Sequence, residues 1–125
     1  MKLEVRPERE RYAPGETVAG AVVVAEGGSS RRLEIELRYR EQTMLEEYEH
    51  TALTVPGGEL HTGDLEAGAS FAFAIPLPAD ALPSFKSAHG ELFWELDARS
   101  DERGVDTHER VRVVVASPSS ATATA

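Results

Sequence analysis

The stretch Gly90-Glu91-Leu92-Phe93-Trp94-Glu95-Leu96-Asp97-Ala98-Arg99 carries the fold in its spacing. Leu92, Trp94, Leu96 and Ala98 alternate with Phe93, Glu95, Asp97 and Arg99. Successive side chains of a strand point to opposite faces, so this pattern predicts a strand with one core face and one mostly wet face. The same period of two sets Leu33, Ile35, Leu37 and Tyr39 against Glu34, Glu36, Arg38 and Arg40. It recurs in Val111, Val113 and Val115 against Arg110 and Arg112, and in Phe71, Phe73 and Ile75 against Ala72 and Ala74. Two more strands are expected around residues 17–25 and 2–6, the latter stopped by Pro7, which has no backbone donor. Gly20 interrupts the row Val18, Val22 and Val24, which predicts a bulge or a large neighbouring side chain lying over the gap. No window sustains the i, i+3, i+4, i+7 spacing of an amphipathic helix for three turns, so the chain reads as all-β.

The connections refine that reading. Pro56-Gly57-Gly58 is a breaker cluster and predicts a hairpin joining residues 43–55 to residues 59–66. Leu45, Leu53 and Val55 share parity with Glu47, Glu49 and Thr51, so the faces of this hairpin are poorly segregated and it is expected to sit at a sheet edge or to protrude into solvent. The proline-rich residues 76–83 cannot join a regular ladder and are expected to form a loop crossing between two sheets or a short turn lying over one end. Strands spaced about ten residues apart, with turn signals between them, predict an immunoglobulin-like antiparallel β-sandwich of two sheets. Residues 1–116 form one such domain in this reading. Residues 117–125, all small and uncharged, are expected to be a flexible tail.

Composition narrows the function classes. A chain of 125 residues with 41% hydrophobic and 28% charged residues can build a self-sufficient core. It has no cysteine, which excludes disulfide scaffolds, Cys-ligated zinc and thiol nucleophiles. No apolar run reaches the ~18 residues of a membrane span, and the start Met1-Lys2-Leu3-Glu4-Val5-Arg6 has no signal-peptide core, so a cytoplasmic address is expected. The net charge of −9, with no long Lys/Arg cluster, argues against a nucleic-acid partner. Arginine outnumbers lysine 11 to 2, which points to a GC-rich, bacterial genome.

Chemistry-bearing residues are dispersed. His50, His61, His89 and His108 have no i, i+2 or i, i+4 partner that would aim two rings at one ion. Asp97, Asp101, Glu102, Asp106 and Glu109 gather oxygen ligands around Gly104, and this loop is an alternative site for calcium or a small ligand. Its spacing departs from an EF-hand, and a hairpin turning at Arg103-Gly104 accounts for the same residues. No nucleophile elbow, phosphate loop or dinucleotide fingerprint occurs, so neither an enzyme nor a cofactor is expected. From Glu41 to Glu66 there are seven acids and no Lys or Arg. Glu46, Glu47 and Glu49 are accordingly the candidate contacts for a basic protein partner, with self-association through a sheet edge as the other mode.

Three segments, in order, resemble arrestin-like domains. These are the turn Tyr12-Ala-Pro14-Gly15-Glu16 leading into Val18-Ala-Gly20-Ala-Val22, then Gly68-Ala-Ser-Phe71-Ala-Phe73 with Pro76-Leu-Pro78 and Leu82-Pro83-Ser84-Phe85, and last Gly90 to Ala98 with Asp101, Asp106 and the closing Val111 to Val115. The resemblance covers about residues 3–116. It implies the immunoglobulin-like sandwich and a non-catalytic binding, scaffold or regulatory role, as in arrestins and bacterial sporulation-control proteins. Members usually carry two such sandwiches, and one is expected here, without an inter-domain clamshell. The basic pair by which visual arrestins sense phosphate has no counterpart in Lys2-Leu3-Glu4-Val5-Arg6, so phosphate recognition is not carried over.

Overall fold

The computed structural model describes residues 1–43 and 49–116. Among these residues the chain forms nine strands and no helix: β1 (Lys2–Pro7), β2 (Arg11–Tyr12), β3 (Thr17–Glu26), β4 (Arg32–Thr43), β5 (Glu49–Thr62), β6 (Ser70–Pro76), β7 (Phe85–Lys86), β8 (Gly90–Asp101) and β9 (Thr107–Val115). One sheet has the order β1-β3-β6 and the other β2-β9-β8-β4-β5, with β7 pairing the start of β8. The expected flexible tail lies outside the described residues.

The alternation sets which side chains meet between the layers. Val18, Val22, Val24, Phe73 and Ile75 of the smaller sheet face Leu33, Ile35, Leu37, Tyr39, Trp94, Leu96, Ala98 and Val113 of the larger, all buried. Each such aliphatic or aromatic burial contributes about 1.5–3 kcal/mol, so the four strongly alternating strands supply most of the driving force. Trp94 is 1% exposed. Its ring sits 4.9 Å from that of Tyr39, and its Nε1–H donates to the Leu82 carbonyl at 2.7 Å. The proline-rich segment does cross between the sheets: it buries Leu77 and Ala81, and Ser84 exchanges hydrogen bonds with Val115.

Ala13-Pro14-Gly15-Glu16 is a tight turn. Glu16 N–H donates to the Ala13 carbonyl at 3.1 Å, and Gly15 has φ +84°, a conformation only glycine adopts without cost. The Glu16 carboxylate folds back onto the turn, accepting the Ala13 N–H at 2.6 Å and Arg9 Nη2 at 3.0 Å. The Ala13 amide first, and Arg9 second, hold this carboxyl below the ordinary glutamate range. A lowered folded-state pKa means that the contribution is complete above the unfolded pKa and is lost as pH falls through the folded one. An NMR titration should therefore place the Glu16 midpoint below the ordinary glutamate value; a midpoint at that value would show that the turn lacks this bond.

Two expectations are corrected. Pro56-Gly57-Gly58 is not a turn: β5 runs continuously from Glu49 to Thr62 and pairs with β4 throughout, from Gln42↔Glu49 to Arg32↔Thr62. Bulges at Ala52, Gly57 and Leu60 absorb the extra residues, and each reverses the parity of the residues beyond it, which is why polar and apolar side chains share a parity in the sequence. Gly57 is required because a Cβ there would lie 2.8 Å from the Ile35 carbonyl oxygen, a backbone atom, as well as 2.6 Å from Ile75 Cδ1. Likewise the neighbour over Gly20 is backbone: the Arg6 carbonyl oxygen would be 2.2 Å from an added Cβ.

Candidate functional site

The outer face of the larger sheet is a lattice of cross-strand ion pairs. Register sets Arg38 opposite Glu95, Glu34 opposite Arg99 and Asp97 opposite Arg110, so unlike charges sit side by side. Arg38 Nη2 donates to Glu95 Oε1 at 2.7 Å and lies 3.3 Å from Asp97 Oδ2. His108 Nδ1 lies 3.1 Å from Asp97 Oδ1, and Arg110 Nε 3.7 Å from Oδ2. Asp97 is only 4% exposed although it is on the outward parity, because long cationic side chains lie over it. Phe93 is buried in the same way beneath Arg112, whose guanidinium carbon is 3.8 Å from the ring centroid. Arg99 donates to Glu34 at 2.9 Å, and this bond raises its pKa further above the ordinary arginine value.

A cavity of about 220 Å³ opens among Glu34, Glu36, Arg38, Asp97, Arg99 and His108. The Asp97–His108 contact has the form of a carboxylate orienting an imidazole, and in a hydrolase such a pair would serve a nucleophile. Here the neighbours of the pair are guanidinium groups and carboxylates that pair across the strands, so the cavity is lined by an ion-pair network. Sequence reasoning missed it: the signal was the single change of sign along the outward positions, from Glu34 and Glu36 to Arg38 and Arg40 and from Glu95 and Asp97 to Arg99.

The acids of the 97–109 segment do not converge. Asp101 meets Arg31 and Arg32, Asp106 Oδ1 accepts the Glu102 N–H at 3.0 Å, and Glu102 Oε2 accepts the Thr107 N–H at 2.9 Å. With Gly104 at φ +93° they shape the hairpin between β8 and β9. Among the described residues no three His, Cys, Asp or Glu side chains are placed to hold an ion, so the calcium alternative finds no support in the geometry. His50 and His61 fall near opposite ends of β5 instead of across a hairpin, and the His61 ring packs 4.9 Å from that of Phe71.

Of the candidate partner contacts, Glu46 and Glu47 lie outside the described residues, and Glu49 opens β5 opposite Gln42. The acidic segment does occupy a border, as expected: β5 is the last strand of the larger sheet. Near that border Leu53 and Leu82, 45% and 59% exposed, line an apolar groove with Tyr39 and Pro78.

Comparison with solved structures then bears on this architecture. The sporulation control protein Spo0M from Bacillus subtilis superposes with a TM-score of 0.65 at 21% identity, over 93% of this chain and 49% of that one. The fold is arrestin-like. The chain spans about half the length of the Spo0M chain, so the likeness concerns one arrestin-like sandwich. No family model and no curated protein matches the sequence. Among the described residues no helix is long and apolar enough to cross a membrane.

Proposed function

We propose that this chain is a non-catalytic arrestin-like module that binds a protein partner, as a cytoplasmic scaffold or regulator in a bacterium. The observation that carries the reading is the border formed by β5, a terminal strand in a segment with acids but no base from Glu41 to Glu66. Like charge along one border steers a basic surface towards it and fixes its orientation. The fold shared with a protein described as controlling sporulation supports a regulatory role over a catalytic one. The groove beside Leu53 and Leu82 supplies apolar area next to the charge, the composition of an interface core with a polar rim.

Reversing Glu46, Glu47 and Glu49 to Lys together is expected to abolish capture of a basic partner from the native host while leaving the melting temperature within about 2 °C of wild type. Unchanged capture would remove these residues from the interface. A large fall in melting temperature would assign them to the fold instead.

A further inference from the structure

The two strands that meet along this flank are built in opposite ways. β5 ends the larger sheet and β6 the smaller one, and the two lie against each other. The free edge of β5 is blunted by Pro56, which has no N–H, and by its three bulges. β6 has no bulge, and its one proline, Pro76, stands at the very end of the strand, beyond the outward groups of Ser70, Ala72 and Ala74. Its register with β3 is unbroken from Thr17↔Pro76 to Val23↔Ser70. Flanking bonds show which groups face β3: Val24 N–H donates to the Ala69 carbonyl, and Leu77 N–H to the Glu16 carbonyl. In an antiparallel ladder this alternation turns Phe71, Phe73 and Ile75 towards β3. Ser70, Ala72 and Ala74 therefore present N–H and C=O groups at the open edge, and among the described residues no strand lies beyond them. From Ala67 to Ala79 the sequence has no charge. A regular, uncharged edge is a template for a further strand.

Charge indicates what that strand carries. The base-free stretch extends past Glu66: between Arg40 and Lys86 there are eight acids and no Lys or Arg. Glu66 precedes β6, Asp80 follows it and Glu59 stands on bordering β5, all exposed. The cations of the smaller sheet, Lys2 and Arg6, are on β1, its opposite border. A second copy docking here would set one acidic flank against another and add −9 to −9.

We infer that the open edge of β6 takes up an extended, Lys- or Arg-rich segment of a partner protein as an added strand. Main-chain hydrogen bonds to Ser70, Ala72 and Ala74 hold the segment, and the acidic flank selects its charge. This rests on the interaction reading above and names its route and the chemistry of its partner.

The test uses the full chain and a capped peptide, Lys-Val-Lys-Val-Lys-Val-Lys, with amide hydrogen exchange followed by NMR. Saturating peptide is expected to slow the Ala72 and Ala74 amides by about tenfold or more, while Phe73, already bonded to β3, stays unchanged. The effect should weaken as salt is raised from low ionic strength. Binding that leaves Ala72 and Ala74 unprotected would overturn the inference, as would equal protection by the Glu-Val counterpart. So would protection that grows with protein concentration without peptide, the signature of a second copy. Ala72→Pro removes one edge donor at a position where proline is tolerated, and should weaken peptide binding about tenfold with the circular dichroism retained. Undiminished binding by that variant would also overturn the edge assignment. If a host partner binds Ala72→Pro as well as wild type, the edge assignment fails while the interaction reading stands. If the wild type captures no host protein, that reading fails, and the peptide exchange still decides whether the edge accepts a basic strand.

Discussion

Trp94→Ala is expected to destabilise the domain by about 3–5 kcal/mol, within reach of the entire stability of an ordinary domain of this size. Two costs coincide at this residue. The indole is fully buried between the sheets against Tyr39, so truncation leaves a cavity that the stiff β-branched and aromatic neighbours cannot close. The Leu82 carbonyl also loses its donor, and with it the bond that fixes the crossing segment to β8. Urea denaturation should show an unfolded or barely folded variant, with a melting temperature lower by about 10 °C or more if it folds. Trp94→Phe separates the two costs, because it restores most of the volume and leaves the carbonyl without its partner. A Trp94→Ala protein that melts within about 2 °C of wild type would mean that the two sheets do not close over the indole.

That residue also marks how far the sequence could be read. Trp94, Leu96 and Ala98, and likewise Leu33 to Tyr39, declare their faces because a strand in regular register repeats every two residues and the layers bury one face only. The same logic failed in residues 49–62, where bulges at Ala52, Gly57 and Leu60 reset the parity and Pro56-Gly57-Gly58 imitated a turn. Proline is tolerated there because β5 has a neighbour on one side only. The outward row of β8 misled in a second way: Phe93 and Asp97 were expected in water and lie beneath arginine side chains contributed by β4 and β9. Burial of that kind depends on which strand becomes the neighbour, and no local pattern encodes it. The open edge of β6 was legible only in part. Its alternation was visible, but its position at the end of a sheet comes from the strand order alone.

Gly20→Val is expected to cost on the order of 3 kcal/mol, the upper range of over-packing, although it fills an apparent gap in a row of valines. The alternation Val18, Gly20, Val22, Val24 invites the substitution, and valine favours strands. The space is nevertheless taken. The first side-chain carbon would fall 2.2 Å from the Arg6 carbonyl oxygen and 2.8 Å from Pro7 Cα, distances that backbone atoms cannot relieve without moving the strand. The end of β1 must then part from β3, and the Glu8 N–H bond to the Ala19 carbonyl, 2.9 Å long, goes with it. Hydrogen exchange should locate the damage, with the Glu4 and Arg6 amides, which face β3, losing protection before those of β8. Gly28→Ala is the control: its added carbon meets only the Met1 Cε, at 3.5 Å, so stability should stay within about 0.5 kcal/mol of wild type. If Gly20→Val kept wild-type stability and protection along β1, the close approach of Arg6 and Pro7 to β3 would be refuted, and the glycine would have to be explained by something other than contact with backbone.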